Sequence, residues 1–267
     1  MKSYEAAAIE PRFDLSCPVY ARLDGRAFSS FTRGLIKPYD PVLGEAMIRT
    51  AEALLESTHA RAVYAQSDEI SLLWHPDTEG SSIMFDGRLA KMTSVLASLA
   101  AVAFAQSLFD AGRPDLVAKL PHFDARVCSL PNRGEAVNMI LWRMHDARRN
   151  AISLAAQTHF SHKYLHGLNG REKLARLEGC GVNFNDYPEA FRFGTMIRRV
   201  RVRRPFTEDE IAAIPIYARP DKDASVTRTI VQRTCPDRSV RFSDLMSLVF
   251  PDPVKDDQEA GVVEFTP

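Results

Sequence analysis

The chain has 267 residues and is 45% hydrophobic, enough to bury one large core or a core with appendages. Lysine plus arginine and aspartate plus glutamate both number 34, which excludes a globally basic protein, so any nucleic-acid surface has to be local. Four separated cysteines without a Cys-x-x-Cys pair argue against a structural zinc and point to a reduced, cytoplasmic setting. The N-terminus lacks the apolar core of a signal peptide. The most apolar run, residues 95–109, falls short of the roughly 20 residues needed to cross a bilayer and carries Ser98, Gln106 and Ser107, so it reads as a buried helix and no membrane is expected.

Residues 1–16 read as a short lead-in helix. Residues 19–23 alternate as a strand, with Val19, Ala21 and Leu23 on one face, and run into an Asp24-Gly25 turn beneath which Phe28 and Phe31 pack. Asp40 as cap and Pro41 as first residue open a helix whose Leu43, Met47, Ala51, Leu54 and Leu55 share a face. Residues 62–65 and 70–74 are strands around a Ser67-Asp68-Glu69 tip. Residues 88–110 form the Ala-rich helix, ended by Gly112. Residues 123–130 are a further strand. Asn132 to Glu135 has capping-box spacing and opens a helix to about residue 159. The order β-α-β-β-α-β suits an α+β fold, a polymerase-palm or ferredoxin-like mixed sheet with helices on one face. Beyond it the chain turns helix-rich, apart from a strand at residues 196–204. Thr207 to Glu210 caps a short helix, and the last residues are acidic. The expected division is a palm-like catalytic core over 1–135, a helical and basic-strand extension over 136–250 packed on it, and a loose acidic tail over 251–267.

The chemistry concentrates at Asp24 and at Ser67-Asp68-Glu69. If their strands are neighbours, Asp24 and Asp68 face each other, and two close carboxylates destabilise the fold unless a cation lies between them. Oxygen ligands of this kind suit Mg²⁺. The bland reading is two solvated turns. Glu69 is open between an active-site role and a structural ion pair, because on a strand it points away from Asp68. Arg88 and Lys91 share a face at a helix start, where anions are favoured. In the run Arg192 to Arg204, Arg199, Arg201 and Arg203 share a strand face, as a charged edge or as a phosphate track.

Taken in order, Arg22-Leu23-Asp24-Gly25-Arg26-x-Phe28, Lys37-Pro38-x-Asp40, Ser67-Asp68-Glu69, Arg88-x-x-Lys91, Phe123-Asp124-x-Arg126-Val127, Trp142-Arg143-x-x-Asp146 and Gly181-Val182-Asn183-Phe184-Asn185 resemble the tRNA-histidine guanylyltransferase family, over about residues 4 to 200. The resemblance implies a palm-like fold and nucleotide addition to the 5′ end of tRNA in the 3′-to-5′ direction. ATP activates a 5′-monophosphate, or a 5′-triphosphate serves directly. The 3′-hydroxyl of GTP or another NTP then attacks. It implies catalytic Asp24, Asp68 and Glu69, and two Mg²⁺ ions held by Asp24, Asp68 and the Gly25 carbonyl. Phosphates would be held by Gly25, Arg26, Ala27, Phe28, Ser29 and Ser67, with Lys37, Arg88, Lys91 and Arg126 neutralising charge. Arg148, Asn150, Lys163, Asn183, Arg198 and Arg199 would serve the activation site or tRNA, and the assembly would be a homotetramer.

One departure bears on the reaction. Where tRNA-histidine-specific members carry His-Ile-Asn-Asn-Leu-Tyr-Asn, this chain reads Arg148-Arg149-Asn150-Ala151-Ile152-Ser153-Leu154. That form is similar to the bacterial and archaeal guanylyltransferase-like branch, which repairs truncated 5′ ends against the pairing strand. The rival readings are strict guanylyl transfer, a palm-fold nucleotide cyclase (whose Gly-Gly-Asp/Glu-Glu-Phe tip is absent here) and an RNA-binding relative without chemistry.

Overall fold

The computed structural model describes residues 2–4, 11–76, 83–221, 224–237 and 239–251. Of the expected lead-in helix, residues 1 and 5–10 lie outside the described residues; residues 2–4 are helical, but 11–16 are not, and Arg12 instead forms a β-bridge with Arg88. The expected acidic tail beyond Pro251 lies outside the described residues. The first unit is strand β1 (Val19–Gly25), helix α1 (Pro41–Thr58), strands β2 (Ala62–Gln66) and β3 (Glu69–Trp74), helix α2 (Leu89–Asp110) and strand β4 (Phe123–Ser129). The second is helices α3 (Arg133–Gln157), α4 (Gly170–Gly179) and α5 (Glu189–Phe193), strand β5 (Thr195–Pro205), helix α6 (Glu208–Ala213), strand β6 (Ser225–Thr234) and helix α7 (Phe242–Val249).

The strands form one six-stranded sheet in the order β4-β1-β3-β2-β5-β6. Its first four strands have the ferredoxin-like order, as expected. The sheet is antiparallel throughout rather than mixed. The reason is topological: α1 returns the chain so that β2 runs with β1, but β3 lies between them, so no parallel pair becomes adjacent. β5 joins the edge of β2, so segments on both sides of residue 135 share this sheet.

Helices cover both faces, not one. Val19, Ala21 and Leu23 of β1 point to the α1/α2 face with Val63, Ala65, Ile70 and Leu72. Tyr20, Tyr64 and Leu73 point the other way, onto Val137, Ile140 and Met144 of α3 and Leu245 of α7. Segments such as 19–23 and 70–74 are apolar on both faces, which is the pattern of strands buried from both sides. A third, smaller core of Ala151, Ile152, Leu165, Leu177 and Phe184 holds α4 against the end of α3.

The caps read from sequence are present. Asp40 accepts from the Leu43 amide at 3.0 Å with Pro41 at the first helical position, Asn132 accepts from Glu135 at 2.9 Å, and Thr207 and Glu210 form the box that opens α6. β6 was not expected. Its sequence exposes residues on both faces and offers no buried alternation, so only pairing with β5 makes it a strand. α2 is 22 residues long and apolar enough to cross a membrane by composition, yet Met92, Leu96, Ala100, Phe104 and Leu108 pack into the core.

Beneath the end of β1, Phe28, Phe31, Phe104 and Phe123 form an aromatic cluster with centroids 4.9 to 6.0 Å apart. Phe28 lies so close under Gly25 that a Cβ there would meet its ring at 2.3 Å, so only glycine fits. Phe104→Ala should cost about 3–5 kcal/mol in denaturant unfolding. A loss below about 1 kcal/mol would mean that this cluster does not anchor the turn.

Candidate active site

Three backbone features place the acidic residues. β1 ends at Asp24 and Gly25, whose register partners on β4 are Asp124 and Phe123. β2 and β3 are joined by the two-residue turn Ser67-Asp68, with Ser67 left-handed at φ 49°. The Gly25 amide donates to the Asp68 carbonyl at 2.9 Å, tying the turn to the end of β1. The strands of Asp24 and Asp68 are neighbours, which is the condition under which the two carboxylates were expected to meet. Burial pushes the Asp68 carboxyl up, and the charge of Asp24 pushes it the same way. Hydrogen bonds from the Asp68 amide and Ser67 offset part of this, and an oxygen-seeking cation would relieve the rest. Among the described residues no group of three or more His, Cys, Asp or Glu side chains is gathered for a metal. That suits Mg²⁺, which takes one or two carboxylates and completes its shell with substrate phosphates and water.

Beside the turn opens a cavity of about 520 Å³. Ser67, Asp68, Phe28 and Ser29 stand at one end, Lys37 and Asn150 on its sides, and Leu35, Tyr39, Met47, Leu154 and Phe191 give apolar walls. Tyr39 and Phe191 pack against each other at 5.7 Å. An apolar cleft with carboxylates and hydroxyls at one end is built for a ligand with a flat body and a polyanionic tail bound through a cation. The apolar walls escaped the sequence reading because they come from α1, α3 and α5, which no local pattern brings together.

Glu69 is corrected by the structure. Arg143 of α3 donates to it through Nε at 2.6 Å and Nη2 at 2.5 Å, and Arg22 stands 3.7 Å away. Both carboxylate oxygens are thus engaged inside the protein, so Glu69 holds the hairpin tip rather than acting as a catalytic carboxylate. Burial pushes its carboxyl up, while Arg143 and Arg22 draw it down. Arg143 also reaches Asp146, three residues on along α3, at 3.1 Å. Its larger role had a sequence signal: it occupies an inward position between Ile140, Met144 and Ala147, and a buried guanidinium requires an opposite charge.

A family model described as "Thg1: tRNAHis guanylyltransferase" matches residues 1–131. A bacterial tRNA(His) guanylyltransferase (Thg1)-like protein solved in complex with ATP is 36% identical, with a TM-score of 0.69 over 74% of this chain and 85% of that one. A bacterial Thg1-like protein solved in complex with GTP is 28% identical at the same TM-score, covering 94% of this chain and 97% of that one. This chain belongs to the Thg1 family. The tRNA(His) guanylyltransferase of Saccharomyces cerevisiae is 26% identical over 200 residues, 68% of this chain and 83% of the yeast protein. Thg1-family membership makes the chain a nucleotidyltransferase.

Within this Thg1-family fold, the other residues implied by resemblance divide sharply. Phe28, Ser29, Lys37, Ser67, Asp68 and Asn150 line the cavity. Arg26 and Ala27 continue the turn after Gly25; the Arg26 amide is bound to the His122 carbonyl at 3.0 Å, and Ala27 is left-handed at φ 56°. Arg126 lies exposed on β4 opposite Arg22, on the α3 side of the sheet.

Arg88 and Lys91 are not brought to the carboxylates. β3 carries the chain away from Asp68, so α2 begins at the far end of the sheet, where the Leu89 amide bonds to Pro11. The aromatic cluster under Gly25 is reached only at Phe104, about 24 Å along the helix axis. Lys91 lies over the Phe85 ring at 4.6 Å. Arg198 and Arg199 are corrected too. Arg199 donates to the carbonyls of Leu55 and Ala60 near the C-terminus of α1, and Arg198 donates to Gln232 of β6. They complete helix and ribbon, and the periodicity of the arginine run could not reveal that. Arg203 and Arg204 are likewise engaged, with Ser225 and Glu210. Arg148 stacks over Phe184 and Phe193. Asn183 caps its own turn, and Lys163 stands exposed on the short helix of the third core.

Glu69→Gln or Arg143→Met alone should each cost up to about 3 kcal/mol by removing the bidentate partner of a buried charge, which keeps only Asp146 or Arg22. The double variant should recover a large part of that loss in the same denaturation experiment. Additive losses would show that the pair is not coupled.

Proposed function

We propose that this protein is a Mg²⁺-dependent nucleotidyltransferase that extends the 5′ end of tRNA in the 3′-to-5′ direction, in the template-dependent manner of 5′-end repair. The observation that carries the reading is Asp68, held beside the Asp24-Gly25 end of β1, at the mouth of a nucleotide-sized cavity. Homologues solved with ATP and with GTP support nucleoside triphosphates as its ligands, and the family supports tRNA as the acceptor. The expected homotetramer and cytoplasmic setting belong to this proposal.

In this reading the base lies against Tyr39, Met47 and Phe191. The triphosphate reaches the mouth, where Ser29, Ser67 and the backbone from Gly25 to Ser29 face it. Asp24, Asp68 and the Gly25 carbonyl would hold two Mg²⁺ ions, which supply Lewis-acid polarisation of the phosphates and of the attacking hydroxyl. Lys37 at the cavity and Arg22 and Arg126 on the β1/β4 floor neutralise phosphate charge. A 5′-monophosphate attacks the α-phosphorus of ATP and pyrophosphate leaves. The 3′-hydroxyl of the incoming nucleotide then attacks the 5′ phosphorus, forming the new phosphodiester as AMP departs; from a 5′-triphosphate, pyrophosphate departs instead. The protein positions the reactants and neutralises charge, and forms no covalent bond of its own. Asn150 on the cavity wall is the one residue of the tRNA-histidine motif that this chain keeps; Ala151 and Leu154 beside it, where the motif has Asn, are where the departure from strict guanylyl transfer meets the ligand.

Asp24→Asn and Asp68→Asn should each abolish transfer while the fold persists. The carboxyl of Asp68 is raised on folding, so its ionised form is disfavoured in the native state. The resulting penalty is present at neutral pH and is relieved as pH falls through the raised pKa. Without metal, Asp68→Asn should therefore raise Tm at neutral pH and lose the stabilisation Mg²⁺ gives the wild type. Unchanged transfer in either variant would overturn the metal assignment. In labelled incorporation on a 5′-truncated tRNA, the nucleotide added should follow the opposing base. Addition of G whatever stands opposite would establish strict guanylyl transfer instead.

A further inference from the structure

The carboxylates have a second neighbourhood besides the cavity. On the α3 side of the sheet, α7 packs over the β2/β5 flank, where Arg61 donates to the Val249 carbonyl at 3.0 Å. The β1/β4 flank is left open. Its floor carries Asp24 and Arg22 on β1, opposite Asp124 and Arg126 on β4. α3, which packs on this side of the sheet, carries Trp142 beside Arg143. This indole is 52% exposed, although tryptophan is among the residues most costly to leave in water. It is not adrift: the Arg143 guanidinium lies against one face, 4.8 Å from the ring centroid. Arg143 is itself fixed by the bidentate pair with Glu69, the register partner of Asp24. The indole is thereby held one side chain away from the catalytic strand pair, with its remaining surface open to solvent.

We infer that Trp142 is a stacking platform for the 5′-terminal base of the RNA acceptor, a positioning residue that fixes the 5′ phosphate over Asp24. The inference rests on the proposal that RNA is the acceptor. Three features favour a nucleobase. A rigid aromatic face held by a cation stacks any base, since every base has a π-face. Arg22 and Arg126 on the adjoining floor match the phosphate next to that base. The cavity on the other side of Asp68 already accounts for the nucleoside triphosphate, so the acceptor takes the open side.

The two tryptophans make this directly readable. Trp74 is buried, with its Nε1 donating to the Thr58 carbonyl at 3.0 Å, whereas Trp142 is exposed. The probe is an acceptor-stem RNA hairpin with a 5′-triphosphate, lacking one 5′ nucleotide and carrying 2-aminopurine at its new 5′ end. With wild type, both 2-aminopurine and solvent-exposed tryptophan emission should fall on binding. Trp142→Ala should abolish the 2-aminopurine quench and raise KM for the hairpin about tenfold more than KM for the triphosphate. Trp142→Phe should restore most of that loss. A quench that persists in Trp142→Ala overturns the inference, as does a variant whose two KM values and Tm shift together. Wild type that extends the hairpin with its tryptophan emission unmoved overturns the platform alone. Wild type that neither binds nor extends it overturns the acceptor proposal as well.

Discussion

The Arg143–Glu69 pair is the constraint on which the site depends. It joins a strand to the helix that covers it, at the level where β1 ends and the Ser67-Asp68 turn begins. A buried ion pair is weak as a source of net stability but unforgiving of misplacement, because each partner becomes an unpaired buried charge if the other moves. It therefore sets the register of α3 on the sheet. From that register follow the approach of Asn150 and Leu154 to the cavity and the stacking of Trp142 on Arg143.

The aromatic cluster does the corresponding work on the other face. Phe28 turns under Gly25 onto Phe31, Phe104 and Phe123, so the chain after β1 must fold back tightly. The hairpin tip is thus clamped from both sides of the sheet, by an ion pair above and a packed core below. Against this rigid frame the repulsion between Asp24 and Asp68 cannot relax by movement. Sites of charge chemistry commonly keep such a local penalty, because it is relieved when the cation and substrate arrive.

The arginine run shows how one composition serves different ends. Arg199 satisfies carbonyls at the end of α1, Arg204 and Arg228 converge on Glu210, and Arg233 bridges Glu45 and Glu52. These contacts fasten the β5–β6 ribbon and its neighbours to the body of the protein. In a chain with no net charge, a locally basic stretch is balanced mostly within the fold, and the cations left facing the site are few.

The sequence by itself determined the β-α-β-β-α-β order, the caps at Asp40, Asn132 and Thr207 and the packing of α2 into the core through one apolar stripe. Each follows from local periodicity, capping chemistry or turn spacing, which neighbouring residues decide among themselves. It left Glu69 open between two roles and the meeting of Asp24 with Asp68 dependent on their strands pairing, and it placed Arg88, Lys91, Arg198 and Arg199 with the site by local charge and by resemblance. Only the tertiary structure decided those, because direction along a helix and choice of ion partner depend on elements far apart in the chain. Glu69 is given its role by Arg143, 74 residues away, and Arg88 is carried off by the direction in which β3 leaves the turn. The cavity walls were beyond sequence for the same reason: an apolar side chain on α1, α3 or α5 looks like core until the packing leaves a space beside it.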